Sequence, residues 1–94
     1  MARIVITMKI MPSSPEADLD KIKEQAIEKI KEYTEEEDTE MKTSYEEVAF
    51  GLKSINIIFV ADESKGSTDK LEEKIKSIED VNSAEVIDVR RTIG

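Results

Sequence analysis

Two short stretches of this sequence carry side chains suited to gripping another molecule. "AFGLK" places Phe50 directly before Gly51, where the hydrophobic pattern reads as a turn. "DVRR" places Arg90 beside Arg91 close to the C-terminus. An aromatic ring on a turn can anchor in an apolar pocket, and a guanidinium pairs with carboxylate or phosphate. Covalent chemistry has little to work with. The chain has no cysteine and no histidine, which removes thiol nucleophiles, thiolate metal sites, the usual general base and the commonest zinc ligand. No Ser/His/Asp, Cys/His or paired-carboxylate arrangement stands out. The acidic run Glu35–Asp38, within "TEEEDTE", lacks the alternating spacing of a calcium loop, and "SKGST" lacks the Gly-Lys-Ser/Thr order of a phosphate loop.

Bland readings compete at both stretches. An isolated phenylalanine such as Phe50 more often folds back over an open end of the core. Arginines near a terminus also serve as plain solubilising charge, or as partners of the acidic run. The acidic run itself reads as a solvated loop.

The elements that must position these residues follow from the hydrophobic pattern. "RIVITMKIM" (Arg3–Met11) alternates Ile4, Ile6, Met8 and Ile10 onto one face and predicts a strand ended by Pro12. A helix follows, with Ser14 as its expected N-cap and Pro15 as its first residue. Leu19, Ile22, Ala26, Ile30 and Tyr33 form its buried stripe. "MKTSYEEVA" is polar and weakly alternating, as an edge strand would be. "LKSINIIFVA" is the most strand-like segment and predicts a central strand. Leu71, Ile75 and Ile78 mark a second amphipathic helix, N-capped by Ser67 or Thr68. In "SAEVIDVRR" (Ser83–Arg91), Val86, Ile87 and Val89 break the alternation of a last strand and signal a bulge.

The order βαββαβ, in a chain of 94 residues, predicts one domain over 1–94 of α+β class. Its natural solution is a ferredoxin-like sandwich, a four-stranded antiparallel sheet in order 4-1-3-2 with two helices on one face. That topology sends the Phe50 turn and the arginine terminus to opposite ends of the sheet. A strand of about nine residues at roughly 3.3 Å each separates them by about 30 Å. All three arginines, Arg3, Arg90 and Arg91, fall at the second end. Val5, Thr7, Met11, Asn56, Ile58 and Val60 are expected on the uncovered sheet face, and Phe59 beneath the helices with Ile55 and Ile57.

Composition bounds the partners. With 22 acidic against 14 basic side chains the net charge is −8, which opposes nucleic acid and anionic membrane surfaces. The longest apolar run, Ile57–Ala61, is too short to span a bilayer, and the first residues lack a signal-peptide core. A cytoplasmic protein is the expectation.

Taken together, "MKIMPSSPEADLDKI", "VAFGLKSINI", "KGSTDKLEEKI" and "VNSAEVIDVRR" resemble the archaeal translation elongation factor 1-beta family, the guanine-nucleotide exchange domain for elongation factor 1-alpha. The likeness runs from Arg3 to Gly94 and keeps the order and spacing of these blocks. It implies the same sandwich, without the N-terminal extension that precedes the domain in eukaryotes. It also implies a non-enzymatic exchange factor, with no cofactor or metal of its own, that promotes GDP release and GTP reloading on the GTPase. By the resemblance, Phe50 would enter a pocket on the partner's second domain, a surface that also serves aminoacyl-tRNA, with Gly51 beside it at the contact. A lysine that reaches the partner's magnesium and γ-phosphate site in eukaryotic relatives falls here on Arg91, with Arg90 beside it. The free protein is expected to be a monomer.

Three rival readings of the fold are weighed by their sites. A metabolite-binding regulatory domain would dimerise through its open sheet face. A hydrolase of the acylphosphatase type needs an arginine in the loop after the first strand, and "MPSSPEAD" supplies none. An RNA-binding module needs aromatics on the central strands over a basic face, whereas Phe59 is the lone aromatic there and faces the helices by parity with Ile55 and Ile57.

Overall fold

β-Branched residues dominate the segments that become strands, and their alternation gives each strand one apolar face. The computed structural model describes residues 3–35, 41–49, 51–62 and 68–91. Its elements are β1 (Arg3–Pro12), α1 (Leu19–Thr34), β2 (Met41–Glu47), β3 (Lys53–Asp62), α2 (Asp69–Lys76) and β4 (Val81–Arg91). The four strands form one open antiparallel sheet in the order β2-β3-β1-β4, the ferredoxin-like arrangement. β2 is the edge strand and β3 a central one, as their polarity implied.

Register fixes which face is inside. β1 sets Ile6 against Phe59, Met8 against Ile57 and Ile10 against Ile55. All six side chains are fully buried, together with Ala61. α1 lays Ile22, Ala26 and Ile30 on this face, and α2 adds Leu71 and Ile75. The opposite face is uncovered: Val5, Thr7, Met11, Asn56 and Val60 are half-buried there, and Ile58 is 38% exposed.

The start of α1 departs from the sequence expectation. Its N-cap is Asp18, whose carboxylate accepts from the Lys21 N–H at 3.2 Å, and neither Ser14 nor Pro15 is helical. Ser14 instead accepts from the Ala17 N–H at 3.2 Å, closing a turn in which Pro15 is the second residue. The fixed φ of proline suits that position as well as it suits a first helical residue, so Ser-Pro was ambiguous and Asp18 decided. A neighbouring bond from the Ser13 N–H to the Asp80 carbonyl, 2.8 Å, ties this connection to the one between α2 and β4. Thr68 caps α2, but its hydroxyl donates to Glu72 Oε1 at 3.2 Å rather than serving the helix backbone. Ser67 lies outside the described residues.

The bulge signalled in β4 is present. Val86 pairs with Met8 and Asp88 with Thr7, leaving Ile87 as the extra residue. It lets Val86 and Val89 both take helix-side positions while Asp88 takes the open face. The Val86 N–H donates to Glu72 Oε2 at 3.3 Å, so α2 satisfies a backbone group beside the irregularity. Glu72→Ala removes that acceptor and is expected to lower stability by about 1–2 kcal/mol in urea unfolding, with Glu72→Gln losing less.

Candidate functional site

The turn between β2 and β3 is built around a glycine. The Leu52 N–H donates to the Ala49 carbonyl at 3.0 Å and the Val48 N–H to the Leu52 carbonyl at 2.9 Å. Gly51 stands third in this reversal with φ +77°, where a side chain would be strained. Phe50, the expected anchor, lies outside the described residues. Its neighbours Val48, Ala49 and Gly51 are exposed. A depression of about 180 Å³ lies against Gly51, lined by Pro12, Ser14, Pro15, Leu19 and Lys53. The turn therefore shares its end of the sheet with the β1–α1 connection.

The arginines stand at the other end. Ile4 pairs with Arg91, Val5 with Arg90 and Arg3 with Asp62, all at the start of β1, whereas the Gly51 turn adjoins its finish. Because direct cross-strand neighbours share a face, Arg90 lies on the open face with Val5, and Arg91 on the helix side with Ile4. Adjacent in sequence, they point apart. Arg90 Nε also donates to Asp88 Oδ2 at 2.9 Å, an exposed pair that orients the guanidinium more than it stabilises the fold.

One cluster escaped the sequence reading. Tyr45 on β2 donates its phenol proton to Asp20 Oδ1 at 2.7 Å, and Lys23 Nζ sits 5.8 Å from the centre of its ring. Asp20 and Lys23 are three residues apart on α1, hence on one helix face. An aromatic on a polar edge strand, facing the helix side opposite Ile55, was the available signal. The hydrogen bond to Asp20 raises the Tyr45 pKa above its ordinary value, since a phenolate would face that carboxylate, and partial burial adds to the rise. Of the acidic run Glu35–Asp38, only Glu35 is described, as the left-handed C-cap of α1 with φ 59°. A hollow of about 540 Å³ beside it is lined by Glu28, Lys31, Glu32 and Glu35, a solvated helix face with no convergent donor set. Among the described residues, no group of three or more acidic side chains is placed to hold a metal ion, and no helix is long and apolar enough to cross a membrane.

The EF-1 guanine nucleotide exchange domain family matches residues 5–92, nearly the whole described sheet and both helices. The chain belongs to that family. Elongation factor 1-beta of Methanothermobacter thermautotrophicus is 41% identical to this exchange domain over 97% of the chain and 98% of the relative. That of Methanocaldococcus jannaschii is 37% identical over 95% and 97%. That of Nanoarchaeum equitans is 41% identical over 85% and 94%. Among solved structures, a de novo designed protein, Foldit4, superposes with a TM-score of 0.61 and covers 98% of both chains. At 18% identity that likeness concerns the fold alone.

The Tyr45 pair gives this exchange domain an alkaline signature. A phenol with a raised folded pKa contributes stability that is fully present below its unfolded value of 10.0 and is lost as pH rises through the folded value. In a Tyr33→Phe background, absorbance titration should find Tyr45 ionising above that value, and Asp20→Asn should bring it back down.

Proposed function

We propose that this exchange domain promotes GDP release and GTP reloading on elongation factor 1-alpha by docking two opposite ends on it, the turn at Phe50 and Gly51 and the basic terminus at Arg90 and Arg91. The observation that carries the reading is the family match over residues 5–92. The separation of the two candidate ends along β1 supports the two-ended form of it.

Exchange of this kind asks no bond-making of the chain. Nucleotide affinity in a GTPase depends on Mg²⁺ bridging the phosphates to the switch regions. A protein that binds best to the distorted, metal-poor state weakens nucleotide binding, and nucleotide weakens the protein's binding by the same factor. A thousandfold faster release corresponds to roughly 4 kcal/mol of preference for the release transition state. A buried aromatic anchor and one well-placed cation are commensurate with that figure.

The two arginines divide the work at their end. They lie on opposite faces of β4, so one partner surface meets one of them directly. Arg91 is the residue assigned to the partner's magnesium site. A planar guanidinium fits a carboxylate that helps hold the ion better than it mimics a compact point charge. Arg90, oriented by Asp88, serves docking.

The experiment follows release of a fluorescent GDP from the cognate elongation factor 1-alpha. Phe50→Ala and Arg91→Ala should each cut the stimulated rate by about tenfold or more, with spontaneous release unchanged. Full stimulation by both variants would refute the two-ended reading.

A further inference from the structure

The β2–β3 turn is flanked by two hollows that share Gly51 and Lys53. One, of about 160 Å³, includes Glu47, which stands directly opposite Lys53 on the neighbouring strand. The other is the depression of about 180 Å³ against Pro12, Ser14, Pro15 and Leu19, and no acidic side chain lines it. On a chain with 22 acidic residues that is a distinction. The hollows along the helices are lined by Glu28, Glu32 and Glu35, or by Asp69, Glu72 and Glu73.

Carboxylates near the depression in sequence are turned to other tasks. Asp18 accepts from the Lys21 N–H and Asp20 from the Tyr45 hydroxyl, while exposed Glu16 is not part of the lining. Lys53 is the only charged side chain in that lining. Among the described residues, neither its ammonium nor the Ser14 hydroxyl has a hydrogen-bond or ion-pair partner. Two prolines and Leu19 supply an apolar wall, Lys53 a cation and Ser14 a hydroxyl donor. The complement of that set is a carboxylate on a short aliphatic stem. The volume lies well below the roughly 300–1,000 Å³ of small-molecule sites and suits a single side chain of another protein.

Resting on the docking of the Phe50–Gly51 turn proposed above, we infer that the depression between this turn and the β1–α1 connection is a subsite for an aspartate or glutamate side chain of the partner GTPase, with Lys53 as the residue that selects it. Gly51 belongs to both the turn and the depression, so a partner surface that meets the turn also covers Lys53. An ion pair of this kind holds the complex before and during nucleotide release alike. Its loss therefore changes the concentration needed rather than the maximal rate.

The test measures fluorescent-GDP release from the cognate elongation factor 1-alpha across a range of concentrations of the full chain, at low and at high salt. Lys53→Met keeps the unbranched stem and removes the charge. Lys42→Met removes an equal charge from the open face of β2 and is the control. At low salt Lys53→Met should need about fivefold more protein for half-maximal stimulation, with its plateau within about twofold of the unaltered chain. That ratio should fall toward one at about 1 M salt, where the screening length is about 3 Å. Lys42→Met should match the unaltered chain throughout. Urea midpoints establish that each variant is folded, and Lys53→Gln decides the matter if Lys53→Met is not. Stimulation by the unaltered chain with no shift in the variant overturns the inference alone. An equal shift from Lys42→Met does the same, since it reports overall charge, and so does a ratio that salt leaves intact, since it reports lost packing. No stimulation by the unaltered chain overturns the exchange reading and this inference with it.

Discussion

The pairing of β1 with β3 is the constraint on which the rest of the molecule depends. Ile6, Met8 and Ile10 stand opposite Phe59, Ile57 and Ile55, and all are sealed from water. A slip of one residue would turn every one of these side chains outward, so the register is held by the whole core. Both helices then have one apolar floor on which to lay Ile22, Ala26, Ile30, Leu71 and Ile75. β1 runs through the middle of the sheet, so its two ends become the two ends of the molecule that other segments decorate.

The arrangement of those segments follows from local chemistry. Gly51 supplies the positive φ that the β2–β3 reversal requires. The short span from the bulge to Arg91 is governed by a competition between strand regularity and burial. A regular strand would have sent Asp88 toward the helices; the extra residue Ile87 returns Val89 to the helix side and Asp88 to the open face, where Arg90 meets it. Glu72 accepts the Val86 N–H beside the irregularity.

Much of this was legible in the residue pattern, for identifiable reasons. Alternation gave β1 and the inner face of β3 directly, because a sheet covered on one side leaves a period of two in the sequence. The broken alternation of Val86, Ile87 and Val89 announced the bulge. The onset of α1 was misplaced by several residues, because Ser14-Pro15 satisfies the local rules of a turn and of a helix start equally well. Asp18, three residues before Lys21, carried the decisive cap and competed with a stronger-looking signal. Tyr45 was missed because its partners Asp20 and Lys23 are far away in sequence, and only the packing of α1 over β2 brings them together. The alternation of Arg90 and Arg91 across the sheet depends on the register beyond the bulge, which no local pattern reports.

That alternation makes chain length past Asp88 a parity variable. Inserting or removing a single residue between the bulge and the terminus would exchange the sides on which the two guanidinium groups emerge, without altering charge or composition. Changes in pairs would preserve the handedness of the end.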